Sequence, residues 1–318
     1  MITDLQIHIT DKCNLDCIYC YAQDHICGLS KEKMLSLIKE AKKNNVERIR
    51  FLGGEPFIYP HFKELLEKTL NLNMGAWIFT NGLLINDEWI NYLKNKNVNL
   101  IFKLDSEYGY KVHSKKDLYE KVNSIIKKCK EIKCNTFIAV TKKNLTQIDK
   151  LIQLSFDMKA VPILHRYMPI DNKKIDNMLE IAKDEWDAIL NIFDARCKIN
   201  GIDIEKMADK MNFYCACYNS QISILSNGKA MPCPFAPDKL SLGNVNKIPL
   251  KEIIKNFNIA QKEYYKIPEE CRDCSYKNKC KGGCKTHVFK KHGNFKKRDD
   301  FCLDKRSPIR TKITFNYE

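Results

Sequence analysis

Three cysteines in one short segment, Cys13, Cys17 and Cys20 within HITDKCNLDCIYCYA (His8 to Ala22), carry the most specific chemistry in the chain. They are spaced C-x3-C-x2-C and follow directly on a short alternating apolar stretch, so three thiolates converge from one loop at a strand end. Three is the informative number. A structural zinc or a closed iron–sulfur cluster takes four ligands, whereas a cubane held by three thiolates leaves one iron able to bind something else. Tyr19, just before the third cysteine, is expected over that open position. A zinc loop or a redox-sensitive cysteine cluster in a reducing compartment is the competing reading.

A second cysteine group lies past residue 213. Cys215, Cys217 and Cys233 bracket the run Gln221 to Met231, whose Ser226-Asn227-Gly228-Lys229 centre reads as a hairpin turn. Cys271, Cys274, Cys280 and Cys284 then follow as C-x2-C-x5-C-x3-C, with Cys302 beyond them. Eight cysteines suffice for two four-thiolate sites, iron–sulfur or zinc. The remaining Cys27, Cys129, Cys134 and Cys197 read as ordinary thiols.

These groups need a scaffold, and the chain from Leu5 to about Leu164 supplies one. Short apolar runs at Leu5–Ile9, Arg48–Leu52, Ala76–Phe79, Leu100–Leu104, Thr136–Val140 and Val161–Leu164 read as strands. Helical patterns lie between them near Ser30–Lys43, His61–Leu72, Asp87–Lys94, Lys115–Glu131 and Leu145–Phe156, and a further helix is expected over Lys174–Cys197. Six strands alternating with helices predict an α/β fold with a parallel sheet and right-handed crossovers, an incomplete (β/α)6 barrel over residues 1–200. The stretch Lys198–Asn212 marks the expected boundary to a cysteine-rich domain over residues 201–318.

Ligands in such sheets gather at the carboxyl ends of the strands, so the residues there take priority. After the second strand come Gly53-Gly54-Glu55-Pro56, where two glycines allow close backbone approach and Glu55 offers an acceptor. After the third come Thr80-Asn81-Gly82, which also fit a capped turn. The fourth ends Lys103-Leu104-Asp105-Ser106. Lys103 can pair with a carboxylate or cover apolar surface with its stem, and a buried Asp105 without a partner would be costly. The sixth leads into His165, Arg166 and Tyr167, the candidates for contact with substrate.

Taken together these motifs resemble those of radical S-adenosylmethionine (SAM) enzymes carrying a C-terminal SPASM extension, and the resemblance runs from Cys13 to Cys302. It implies a 4Fe–4S cluster on Cys13, Cys17 and Cys20 whose open iron chelates the amino and carboxylate groups of SAM. One electron then yields a 5′-deoxyadenosyl radical that abstracts hydrogen from a substrate. Tyr19, Gly53, Gly54, Glu55, Thr80, Asn81, Lys103, Asp105 and Ser106 are the implied cofactor contacts, with Glu55 at the methionine amino group. Lys103 departs from the serine usual at its position. The SPASM pattern implies two auxiliary 4Fe–4S clusters, three in all. One would sit on Cys215, Cys217, Cys233 and Cys284, the other on Cys271, Cys274, Cys280 and Cys302. In sulfatase-maturing relatives an Asp follows the last hairpin cysteine as proton acceptor; here Pro234 stands there, so no general base is named.

Composition sets the outer limits. The 318 residues, 44% of them apolar, can bury a large core. Fifteen cysteines without a secretion signal argue for metal thiolates, and the absence of a long apolar run predicts a cytoplasmic protein without a membrane partner. The net charge is +15. Thirteen Lys or Arg between Lys277 and Lys312 face only Asp299, Asp300 and Asp304, and the negative charge of two nearby clusters would offset part of that excess. The chain starts at its first strand, so no separate leader-gripping domain is expected. The expected function is a radical oxidation or crosslinking of a peptide or protein, with the auxiliary clusters as electron acceptors and a flavodoxin or ferredoxin as electron donor. The same chemistry on a small molecule or tetrapyrrole precursor is the alternative, and a basic zinc protein binding nucleic acid is the remote one.

Overall fold

The computed structural model describes residues 1–21, 28–104, 115–169, 171, 173–202, 217–264, 266–274 and 277–302. Six strands form where the apolar runs predict them: β1 (Asp4–His8), β2 (Arg48–Leu52), β3 (Gly75–Thr80), β4 (Val98–Lys103), β5 (Lys133–Val140) and β6 (Val161–Arg166). They alternate with α1 (Lys31–Lys43), α2 (Phe62–Asn71), α3 (Asp87–Leu93), α4 (Lys115–Lys128) and α5 (Ile148–Asp157). Each strand pairs in parallel with the next in chain order, the arrangement of a partial (β/α)6 barrel. The helix starts follow local chemistry: Ser30 accepts from the Lys33 N–H at 3.2 Å, and Asn86 from that of Trp89 at 3.0 Å.

The main core lies between helices and sheet, with Leu5, Ile7, Leu37, Ile38, Phe51 and Phe102 fully buried. A smaller cluster of Trp77, Ile101 and Ile163, flanked by Phe79 and Phe137, fills the other face of the sheet. At the amino ends of the strands, buried Asp4 binds Arg48 at 3.0 Å and Arg50 at 2.8 Å, and both guanidinium groups lie over the Trp77 ring. Burial alone would raise the Asp4 carboxyl, but the two arginines hold it below its usual range. The opposite end is where the predicted site residues emerge.

The single helix expected over Lys174–Cys197 is two, α6 (Lys173–Leu179) and α7 (Lys183–Ile199). The break has two causes, one long-range and one local. The Leu179 carbonyl accepts from Lys142 N–H at 3.0 Å, tying the end of α6 to the segment after β5, and Ala182 turns extended. Glu185 then reaches back to the Ala182 N–H at 2.6 Å and starts a new helix.

The cysteine-rich part does not begin a separate sheet. β7 (Gln221–Ile224) pairs in parallel with β1, setting Asp4 opposite Gln221, and β8 (Lys229–Met231) and β9 (Gly243–Asn244) follow antiparallel. One nine-stranded sheet results, ordered β6-β5-β4-β3-β2-β1-β7-β8-β9. The expected hairpin turn is present, with Gly228 at φ +82° and the Asn227 side chain accepting from Lys229 N–H. Among the described residues, three α-helices complete this part, α8 (Leu250–Tyr264), α9 (Lys277–Cys280) and α10 (Lys285–His292). Among the described residues, no helix is long and apolar enough to cross a membrane.

Candidate active site

The cysteine loop follows β1, and the turn after β2 holds it. Gly54 N–H donates to the Thr10 carbonyl at 2.6 Å and Glu55 N–H to that of Lys12 at 2.9 Å. A Cβ on Gly54 would stand 2.1 Å from the Lys12 oxygen, and Gly53 adopts φ +138° beside Thr10. The close approach that these glycines permit is therefore to the backbone of the cysteine loop itself.

Glu55 is buried, and its carboxylate gathers the neighbouring strand end. Oε1 accepts from the Thr80 hydroxyl at 2.8 Å and Oε2 from Asn81 N–H at 2.8 Å. Asn81 in turn donates through Nδ2 to Asn14 Oδ1 at 2.8 Å, with Cys13 Sγ at 3.9 Å. Thr80 and Asn81 thus join the site as well as capping a turn. Burial pushes the Glu55 carboxyl up to about 7, because the hydrogen bonds it accepts offset only part of the desolvation.

Lys103 settles between two rings, its Nζ 4.8 Å from the centroid of Tyr19 and 4.7 Å from that of Phe137. The cation thereby stays at the barrel mouth beside the residue expected over the open iron. Asp105 and Ser106 lie outside the described residues. His165 stacks between Phe137 at 5.3 Å and Phe235 at 5.7 Å. Burial, with Lys103 and Arg166 adding to it, pushes its imidazole down to about 4, so it is neutral at pH 7. Tyr167 is committed elsewhere, buried with its hydroxyl on Asp176 at 2.7 Å.

Arg166 links the barrel to the cysteine-rich part. Its Nη2 reaches Asp299 Oδ2 at 3.2 Å and its guanidinium covers the Phe301 ring at 3.7 Å. Nη1 is buried without a hydrogen-bond partner among the described residues. Asp299 also accepts from His287 Nδ1 at 2.8 Å and Cys284 N–H at 3.0 Å. Burial opposes the charge of Asp299, yet these donors hold its carboxyl below the usual range. Asp299, His287, Phe137, Phe235, His8 and Tyr21 were not legible as site residues. Only proximity to a cysteine or a strand end marks any of them.

The described cysteines are free thiols. In the first loop Cys20 N–H donates to the Cys17 carbonyl at 3.0 Å, and Cys13 and Cys20 lie within electrostatic reach of each other. Burial raises the Tyr218 phenol, and the sulfurs of Cys233, Cys284 and Cys217 add to it. Their expected fourth member, Cys215, lies outside the described residues. Burial, with Cys302, Cys280 and Cys274 adding to it, pushes Cys271 up to about 11. Tyr21 stands between groups, raised by burial and by Cys20, Cys233 and Cys217. Among the described residues no group of three or more His, Cys, Asp or Glu side chains is placed to hold a metal ion. A cubane spaces its thiolates more widely, since each binds a different iron. Cys129 and Cys197 are buried, as ordinary thiols are, and Cys134 is half-buried; Cys27 is outside the described residues.

The donor set, the loop cradled on Gly54 and the unpaired buried Nη1 of Arg166 beside the Phe301–Cys302 turn all suit anionic clusters. An open cleft of about 510 Å³ around Arg48, Trp77 and Asn99 lies at the amino ends of the strands, and another of about 510 Å³ is lined by Tyr264, Phe289 and Phe295, which pack with Tyr218 and Cys233.

Comparison with known proteins adds three findings. Residues 7–154 match the model of the radical SAM superfamily, and residues 215–275 match that of an iron–sulfur cluster-binding domain, SPASM. Among curated relatives, a probable GTP 3′,8-cyclase of Methanosarcina acetivorans is 28% identical, with 83% of this chain and 87% of the relative covered. A cysteine-type anaerobic sulfatase-maturating enzyme of Clostridium novyi is 25% identical, with 96% and 93% covered. Among solved structures, native anSMEcpe with bound AdoMet and Cp18Cys peptide gives a TM-score of 0.79 at 21% identity over 98% and 97% of the two chains. Streptococcus suis SuiB bound to S-adenosylmethionine gives 0.75 at 18% identity, over 95% and 77%.

Proposed function

The chain belongs to the radical SAM superfamily and carries a C-terminal SPASM domain, and we propose that it abstracts hydrogen from a peptide or protein substrate to give an oxidised or crosslinked product. The enzyme uses 4Fe–4S clusters and SAM. When bound, the first cluster supplies the electron that cleaves SAM to a 5′-deoxyadenosyl radical.

The protein's residues have separate tasks. Cys13, Cys17 and Cys20 hold the SAM-binding cluster. Glu55, fixed by Thr80 and Asn81, accepts from the methionine ammonium, and Lys103 lies where it can meet a carboxylate. Tyr19, Phe137 and Phe235 wall the mouth and exclude water from the reacting carbon. His165 is our choice for proton acceptor. It is neutral, and it stacks on Phe235, one residue beyond the position where the sulfatase-maturing group has its Asp. Cys217, Cys233 and Cys284, with Cys215, hold the first auxiliary cluster, and Cys271, Cys274, Cys280 and Cys302 the second. A flavodoxin or ferredoxin serves as donor.

The observation that carries this reading is the pair of family matches, radical SAM over residues 7–154 and SPASM over residues 215–275, and the cysteine loop held beside Glu55, Thr80 and Asn81 at the strand ends supports it. Full-length similarity to a sulfatase-maturating enzyme, together with peptide bound in a structure of the same fold, supports the peptide class. Pro234 argues against sulfatase maturation itself. The GTP 3′,8-cyclase relatives favour a second reading, a small-molecule substrate. Anaerobically purified protein should hold about twelve irons. Given SAM and reductant it should form deoxyadenosine, and Cys17→Ala should not. Deuterium passing into deoxyadenosine from labelled peptides, but not from GTP, supports the peptide reading; the reverse pattern overturns it.

A further inference from the structure

A row of buried polar groups runs across the joint of β1 and β7, and the chemistry above leaves it without a task. Gln6 and His8 on β1 are 5% and 2% exposed, and Gln221 on β7 is 3% exposed. Gln221 Nε2 donates to Gln6 Oε1 at 2.7 Å and to Cys217 Sγ at 3.3 Å. Gln6 Nε2 lies 3.1 Å from His8 Nε2, and the Tyr21 hydroxyl lies 3.4 Å from the same nitrogen.

The direction of this chain is determined by its parts. A Cys217 thiolate only accepts, so the Gln221 NH2 faces it and the Gln6 oxygen. This leaves the Gln6 N–H for His8 Nε2, and the neutral imidazole accepts there and carries its own proton on Nδ1. Turning the Gln221 amide over would set oxygen against oxygen and oxygen against sulfur, at two buried contacts. A thiol is a weak acceptor for such a donor, whereas a thiolate ligated to iron is a good one. Hydrogen bonds onto cluster sulfurs favour the more negative, reduced state and raise the reduction potential.

We propose that Gln221 is a positioning residue that raises the reduction potential of the first auxiliary cluster through Cys217, with its donor held in direction by Gln6 and His8. The inference rests on the reading of Cys217 as a ligand of that cluster. Its consequence lies in the second half of the reaction. Once a hydrogen atom has left for the adenosyl carbon, the substrate radical becomes a closed-shell product by losing one electron and one proton. The electron reduces the oxidised auxiliary cluster by one unit, and a higher potential makes it the better acceptor. The proton goes to the base at the barrel mouth.

The test is a redox titration followed by electron paramagnetic resonance on full-length, cluster-loaded protein, comparing wild type with Gln221→Met, which keeps chain length and removes the donor. One midpoint of three should move to lower potential, with about twelve irons retained. Substrate-free deoxyadenosine formation should stay within about twofold, while product per deoxyadenosine falls. Gln6→Met, which frees the amide to turn, should move the same midpoint by less. Three unmoved midpoints in fully loaded Gln221→Met overturn the inference. Where that variant loads poorly, Gln6→Met decides by the same reading. Wild-type protein without clusters, or without deoxyadenosine formation, would instead overturn the functional reading.

Discussion

At the scale of single residues, the site is built from groups whose partners are already in place. Gly54 is a steric requirement of the cysteine loop, since any Cβ there meets the Lys12 carbonyl. Gly54→Ala should displace the loop, and iron content should fall from about twelve to about eight with the auxiliary spectra retained. Glu55 predicts a pH dependence. Its carboxyl is pushed up to about 7, so below that pH it is protonated and, in the role proposed for it, would not balance the ammonium of SAM. SAM affinity should therefore rise with pH through about 7 and weaken about tenfold per unit below it, as equilibrium dialysis from pH 6 to 8 would show. Glu55→Gln should bind SAM weakly and flatten the profile. The same group bears on folding: its folded value exceeds the unfolded 4.5, so its contribution to stability is complete below about 4.5 and is lost as pH rises through about 7.

At the scale of elements, the joint between β1 and β7 does two jobs. It continues the barrel sheet into the hairpin, and it places Gln221 and the neighbouring Cys217 against residues of the barrel interior. Ile222 and Ile224 are fully buried there. Ile222→Ala should cost about 2–5 kcal/mol through the cavity it leaves, read as a lower Tm of the loaded protein with the first cluster's signal retained. The break between α6 and α7 shows what pattern reading misses. Helical periodicity runs on either side of Glu180–Ala182, but a hydrogen bond from Lys142 and the reach of Glu185 decide that the chain turns there. The first is a long-range contact, absent from any window of sequence.

For the whole molecule, the contact between Arg166 and Asp299 joins the last barrel strand to the segment that carries Cys284 and Cys302. Both side chains are nearly buried, so Asp299→Asn leaves a guanidinium short of its counter-charge. A loss of about 3–5 kcal/mol is expected, measured as a lower Tm, with the spectra of both auxiliary clusters perturbed and that of the first unaffected. Arg166→Lys, which cannot reproduce the fork and the ring contact together, should give a smaller shift in the same direction.

The amino-acid sequence determined the family, the six parallel strands and the placement of Cys13, Glu55, Thr80 and Asn81 at strand ends. Those features depend on spacing and periodicity, which are local. It left open what Lys103 would touch and gave no sign of Asp299, His287 or the chain from His8 to Gln221. Only the tertiary structure decided these, because a buried polar group is defined by its partners, and here the partners come from up to 215 positions away along the chain. The joining of the cysteine-rich hairpin to β1 was decided in the same way, since backbone donors at a strand edge take whichever edge the fold brings beside them.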